Sequence, residues 1–170
     1  DGKYDFENLR ALDIDLFNRD MNALLAGETV DLPIFDFVEG KKIFGKRITK
    51  AYPGQPIVIE WIHGLNEKLT ENIDSDEKFK IYISPLTTLG IDVHNRIPTT
   101  DSRLLRRIVR DNKFRGKSAK ATLSEWYKVR DGEKKNIFPF SGEADAFFNS
   151  NHSYEITILK KYAQPLLEEI

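Results

Sequence analysis

The sequence predicts an α/β fold: a mostly parallel sheet flanked by helices, with a small β-hairpin lobe. Two observations carry this. Segments with period-two or continuous apolar character alternate with segments of helical period along the chain. One segment, Gln55 to Ile62, is a nearly unbroken apolar run ending near an acid, as in a strand buried on both faces of a parallel sheet.

The elements follow in order. Leu9, Leu12, Leu16, Met21, Leu24 and Leu25 recur near helical spacing before Gly27, which predicts a helix over about 9–26. Val30, Leu32 and Ile34 alternate and lead into turn-rich, charged residues around Gly40 and Gly45, the signature of a hairpin. Lys78–Ile83 alternates and predicts a further strand. Thr100 to Arg115 is the most legible helix, with Thr100 as N-cap, Asp101 in the first turn and Gly116 at the stop. Ser118 starts another, followed by a charged loop over Asp131–Asn136. Ala144–Asn149 reads as a buried strand, Tyr154–Ile158 as an alternating one, and the tail as a helix.

Composition bounds the function. The chain has 170 residues, 40% hydrophobic and 31% charged, with a net charge of -1. A chain of this size buries roughly 70% of its unfolded surface, so one domain spanning 1–170 is expected. Nothing marks it as a membrane or nucleic-acid-coating protein, and a cytoplasmic location is expected. The absence of cysteine excludes disulfides, thiolate metal sites and a cysteine nucleophile. Chemistry must therefore come from carboxylates, arginines and backbone. The chain opens on Asp1, so it reads as a portion of something longer.

Two groups of residues invite chemistry. Arg103, Arg106, Arg107 and Arg110 fall within an arc of about 100° on one helix face, with no acid among them. Guanidinium forks match phosphate oxygens, so the face is expected to receive polyphosphate, with Arg115 and Lys117 contributing. The alternative is a solvated face paired with acids elsewhere in the fold. Glu60, expected at the end of a strand, is placed to hold Mg²⁺ on phosphates or to pair with a core cation. His94, beside Asp92, Asn95 and Arg96, has the best claim among the histidines.

No phosphate loop is present. Gly40 to Arg47 has the spacing GxxxxGK but ends in Arg and leads into a turn rather than a helix. Gly116-Lys117-Ser118 follows a helix, where the motif requires a strand.

Several segments nevertheless resemble the uridine kinase and phosphoribulokinase family of P-loop kinases. They are Tyr4-Asp5-Phe6-Glu7-Asn8, Leu24-Leu25-Ala26-Gly27-Glu28, Pro33-Ile34-Phe35-Asp36-Phe37 and Ile57 to Asn66. His94-Asn95-Arg96-Ile97-Pro98-Thr99-Thr100-Asp101 and Glu143 to Ser150 resemble its bacterial uridine kinase-like subgroup in particular. The resemblance implies ATP- and Mg²⁺-dependent phosphorylation of a nucleoside 5'-hydroxyl. Glu60 would then be the Mg²⁺-associated acid, and Arg103 and Arg107 the catalytic arginines of a lid helix. Arg106, Arg110, Arg115 and Lys117 would bind phosphates, and Glu7, Phe35, Phe37 and His94 the acceptor.

Departures from the family matter as much. Its phosphate loop and catalytic-base strand are expected upstream of residue 1, so this chain alone is expected to be inactive and to self-associate into a homo-oligomer through an apolar sheet edge. Gly40 stands where uridine kinases place a base-reading histidine, and Trp61 replaces a glycine. The rival expectation is a non-catalytic nucleotide- or anion-binding, or assembly, module.

Overall fold

The computed structural model describes residues 8–36, 41–90 and 92–170, with Arg10 described by its backbone. It is a mixed α/β structure in two compact units, residues 1–80 and 81–170.

The first unit is built on helix α1, Ile14–Leu25. Asp13 caps it by accepting the amide of Leu16 at 3.1 Å. The short 3-10 turn Leu9–Ala11 precedes it, so the expected long helix is broken at Leu12–Asp13 by the capping carboxylate. Met21 and Leu24 of α1 bury against Val30 and Ile73, with Phe17, Leu32 and Ile57 packed on them. Asn18 is also buried, but fully used: it donates to the carbonyls of Ile14 (2.9 Å) and Leu69 (3.0 Å) and accepts the amide of Asn72 (3.3 Å). A buried amide so satisfied pins α1 to the 69–72 segment.

Two antiparallel pairs form the hairpin lobe. Strand β1 (Thr29–Asp31) pairs with β4 (Ile48–Lys50), and β2 (Ile34–Asp36) with β3 (Lys41–Ile43). Gly45, at φ +81°, turns the chain between β3 and β4, and its amide donates to Asp31 at 2.5 Å. The described part of the GxxxxGK segment is thus a strand and a tight turn, and no helix opens after it.

Lys42 of β3 contacts the capping Asp13. That hydrogen bond, with the Leu16 amide second, holds the Asp13 carboxyl below its usual value of 3.8. A carboxyl depressed in the folded state stabilises the fold above its unfolded value and loses that contribution as pH falls through the folded one. Urea midpoints are therefore expected to fall progressively as pH drops from about 4 downward, and less steeply for Asp13→Asn. An unaltered acid limb in Asp13→Asn would show that the cap carries no such linkage.

Gln55–Ile62 departs from expectation. It forms neither strand nor helix, and Val58 is 87% exposed. A central parallel strand needs ladder partners, and among the described residues nothing pairs with this segment.

The second unit contains strands β5 (Ile81–Ser84) and β6 (Ala146–Asn149), paired parallel with Ile81 opposite Ala146 and Ser84 opposite Asn149. The Asn149 side chain accepts the Leu86 amide (2.9 Å) and donates to the Leu86 carbonyl (3.1 Å), locking the strand ends. Helices α2 (Thr99–Arg115), α3 (Ala119–Asn136) and α4 (Glu155–Glu168) pack together, burying Ile108, Ala119 and Ala163. Helix α2 starts at Thr99, two residues earlier than an N-cap at Thr100 implies, because Pro98 is its N-cap, its carbonyl accepting the Asp101 amide at 3.0 Å. Gly116 ends it in the left-handed region, φ +61°, where a β-carbon would be strained. Ser118 then caps α3 through the Ala121 amide at 3.2 Å, so Gly116-Lys117-Ser118 is a helix-to-helix junction.

Two further expectations are corrected. Asp131–Asn136 is the last part of α3 rather than a loop, because Glu133 is buried there by ion pairs. Residues 155–158 begin α4 rather than forming a strand: Ile156, Leu159, Ala163 and Leu166 are its less exposed apolar positions, a helical stripe that overrides the local alternation.

Candidate active site

The expected site residues divide between the units. Phe35 and Glu60 lie in the first, and His94, the five arginines and Lys117 in the second. Glu7 and Phe37, like Gly40, lie outside the described residues.

Helix α2 places its arginines as the wheel requires, but their surroundings differ from expectation. Each has an acidic partner. Arg103 donates to Glu133 from Nε at 3.0 Å and also from Nη2, and Arg130 meets the other oxygen of Glu133. Arg106 grips both carboxylate oxygens of Glu155 and donates to the Ser150 carbonyl at 3.0 Å. The premise that no acid relieves the arginine face is therefore corrected: Glu133 and Glu155 approach from α3 and α4, and Asp111 from α2 itself. At 100° per residue Asp111 falls about 40° beyond Arg107, a signal present in the sequence that an arginine-only wheel passes over.

Arg107, Arg110 and Arg115 are brought together on that one residue. Nε of Arg107 lies 3.3 Å from one Asp111 oxygen, and Arg110 and Arg115 each approach the other at 3.3 Å. Lys117 pairs separately with Glu125, whose carboxyl it holds below the usual range, with Arg107 a lesser contributor. Among the described residues the cluster thus sets four cations, Arg107, Arg110, Arg115 and Lys117, against two carboxylates. An excess of positive charge remains there.

His94 lies on an exposed turn. Its amide and that of Asn95 donate to Asp92 at 2.8 Å, and the Asn95 side chain also donates to this carboxylate. These bonds, the side chain of Asn95 first, keep the Asp92 carboxyl below its usual value. In the first unit, Phe35 sits on β2 and is 44% exposed, and Trp61 meets His63 edge to face with centroids 4.7 Å apart. A shallow cleft of about 340 Å³ is lined by Asn8, Leu9, Ile14, Asn66, Lys68 and Glu71.

Glu60 is exposed and does not close a strand, so the strand-end placement expected for it is corrected. Among the described residues no three histidines or acids gather to hold a metal ion. Mg²⁺ is ordinarily held by one or two carboxylates with waters and substrate phosphates, so a single exposed acid such as Glu60 is compatible with it.

The profile of the Phosphoribulokinase / Uridine kinase family matches residues 1–157. The chain belongs to this family. Relatives within it are similar at modest identity. Uridine kinase of Saccharomyces cerevisiae is 27% identical over 150 residues, covering 87% of this chain and 26% of its own. Uridine kinase of Chlamydia pneumoniae is 28% identical over 148 residues, covering 86% and 59%. Uridine kinase of Streptococcus equi subsp. zooepidemicus is 28% identical over 128 residues, covering 75% and 52%. The chain thus spans between about a quarter and three fifths of the length of these curated relatives. The mixed α/β structure, with four helices and small sheets that include a parallel strand pair, is consistent with the fold of this family. Among the described residues no helix is long and apolar enough to cross a membrane.

Proposed function

We propose that the protein is a cytoplasmic, ATP-dependent nucleoside kinase that transfers the terminal phosphoryl group of ATP to the 5'-hydroxyl of uridine or a similar nucleoside. The observation that carries this reading is the family match over residues 1–157. ATP supplies the phosphoryl group and, with Mg²⁺, the charge that must be neutralised as it moves. Arg107, Arg110 and Arg115 face that charge: phosphoryl transfer depends on positioning and electrostatic stabilisation, and these side chains hold an uncancelled positive excess. Arg103 and Arg106, expected at first to meet phosphate, are assigned here to holding α2 against α3 and α4, since Glu133 and Glu155 occupy their forks. Phe35 of the first unit is assigned to acceptor binding, where an exposed aromatic face can stack on a base; the same role for Glu7, Phe37 and His94 rests on the family resemblance alone. Glu60 would act on Mg²⁺ through water as a single exposed carboxylate.

A non-catalytic assembly role is favoured by a different observation, the exposed Ile81, Ile83, Phe147 and Phe148 on the parallel pair, which would also serve a homo-oligomer. One experiment separates the readings. The full-length protein, incubated with γ-labelled ATP, Mg²⁺ and a panel of nucleosides, is expected to yield labelled nucleoside 5'-monophosphate. Label remaining in ATP with every nucleoside and related alcohol would overturn the kinase reading and leave the assembly one.

A further inference from the structure

Asp111 stands at the centre of the cation cluster, and its surroundings differ in kind from those of Asp101, the other acid on α2, which is exposed. Its carboxylate is 1% exposed, whereas the side chains of Arg107, Arg110 and Arg115 are 23%, 48% and 54% exposed. Oδ1 accepts from Arg110 at 3.3 and 3.4 Å and from Arg115 at 3.3 Å. Oδ2 lies 3.3 Å from Nε of Arg107 without the alignment of a hydrogen bond, and both atoms are buried with no hydrogen-bond partner. Charge-assisted contacts between guanidinium and carboxylate usually span about 2.7–2.9 Å. These are longer, so one carboxylate orients three guanidiniums without saturating any.

The contrast with Arg106 sharpens this. Its fork is consumed by both oxygens of Glu155 and by the Ser150 carbonyl, leaving little to offer a ligand. Each guanidinium at Asp111 keeps most of its five donors. The backbone at this point is also held: the carbonyl of Asp111 accepts the amides of Gly116 and Lys117, the latter at 3.1 Å, as the helix closes. A side chain rooted there has little freedom, and the arginines at i-4, i-1 and i+4 converge on it.

Building on the phosphate-facing role proposed above, we infer that Asp111 is the positioning residue of that site: a buried carboxylate that holds Arg107, Arg110 and Arg115 as a preformed clamp for an oligophosphate chain. Such a carboxylate has two opposed effects on an incoming anion. Its charge repels, and its ordering of the donors attracts by sparing the ligand the entropy of gathering three mobile side chains. The clamp reading holds that the second effect wins.

Removing the side chain separates the two. Inorganic pyrophosphate titrated calorimetrically into the full chain at low ionic strength is expected to bind the wild type, and Asp111→Ala is expected to bind it at least tenfold more weakly although the cluster has gained positive charge. Asp111→Asn keeps an acceptor oxygen in place and is expected to recover part of the loss. Should Asp111→Ala lose its fold, Asp111→Asn alone decides: weaker binding than wild type supports positioning. Tighter or equal binding in either folded variant would mean that Asp111 merely competes with the ligand, overturning this inference while the phosphate-facing reading stands. No pyrophosphate binding by the wild type, or binding untouched by Arg107→Ala with Arg110→Ala and Arg115→Ala, would sink both.

Discussion

Replacing Arg103 and Arg130 together with alanine is expected to lower the unfolding free energy by about 3–5 kcal/mol. Glu133 is 3% exposed, and its two oxygens are taken by these two guanidiniums, one from α2 and one from its own helix. Deleting both leaves a buried carboxylate without compensation, and the desolvation penalty that the pair offset is then felt in full. Changing the acid instead is gentler. Glu133→Gln leaves two arginines that already reach solvent, 33% and 26% exposed, so a loss of about 1–2 kcal/mol is expected. Urea denaturation with an unchanged slope checks the comparison. Because the double variant removes a large share of the stability of an ordinary domain, the two single variants provide the control: each leaves one partner and should cost clearly less than half of the double. A double variant within about 1 kcal/mol of wild type would mean that Glu133 finds water, and that α2 and α3 are not joined through it.

Arg107→Ala is expected to reduce kcat of the proposed phosphoryl transfer by about 100- to 1,000-fold, with a much smaller change in the KM for nucleoside. Of the three arginines at Asp111, Arg107 is the least exposed, and its Nε is buried without a hydrogen-bond partner, so its charge acts in the least screened surroundings. A donor of this kind that meets charge appearing only in the transition state acts on kcat rather than on acceptor binding. Arg107→Lys should recover a minor part, because an ammonium keeps the charge but not the planar fork. Arg106→Ala should instead appear mainly in the unfolding midpoint, since its fork is spent on Glu155 and Ser150. If Arg107→Ala keeps kcat within threefold of wild type, the arginine cluster has no part in the chemistry.

The readings that held are those resting on local chemistry. Gly116 at the end of α2 and Ser118 at the start of α3 were legible because a left-handed C-cap and an oxygen N-cap are decided within a few residues. The hairpin lobe was legible for the same reason, from alternation bounded by turn residues, whereas 144–149, expected as a buried strand, forms strand 146–149 with Phe147 and Phe148 exposed. The readings that failed depended on distant neighbours. Gln55–Ile62 has the composition of a central strand, but a strand exists only with partners for its amides and carbonyls. Tyr154–Ile158 alternates over five residues, yet the longer apolar stripe through Leu166 places it in α4.

The amino-acid sequence by itself determined the family, the α/β class and the gathering of arginines on one side of α2, since helical periodicity, caps and motif residues are written in neighbouring positions. Only the tertiary structure decided which of those arginines are spent. Glu133 lies thirty residues from Arg103 and Glu155 forty-nine from Arg106. Packing α3 and α4 on α2 brings these carboxylates against Arg103 and Arg106, while Arg107, Arg110 and Arg115 are left to share Asp111. Ion pairs act over a few ångströms and are formed by whatever the fold brings within reach, so the charge balance of a helix face is a property of its neighbours.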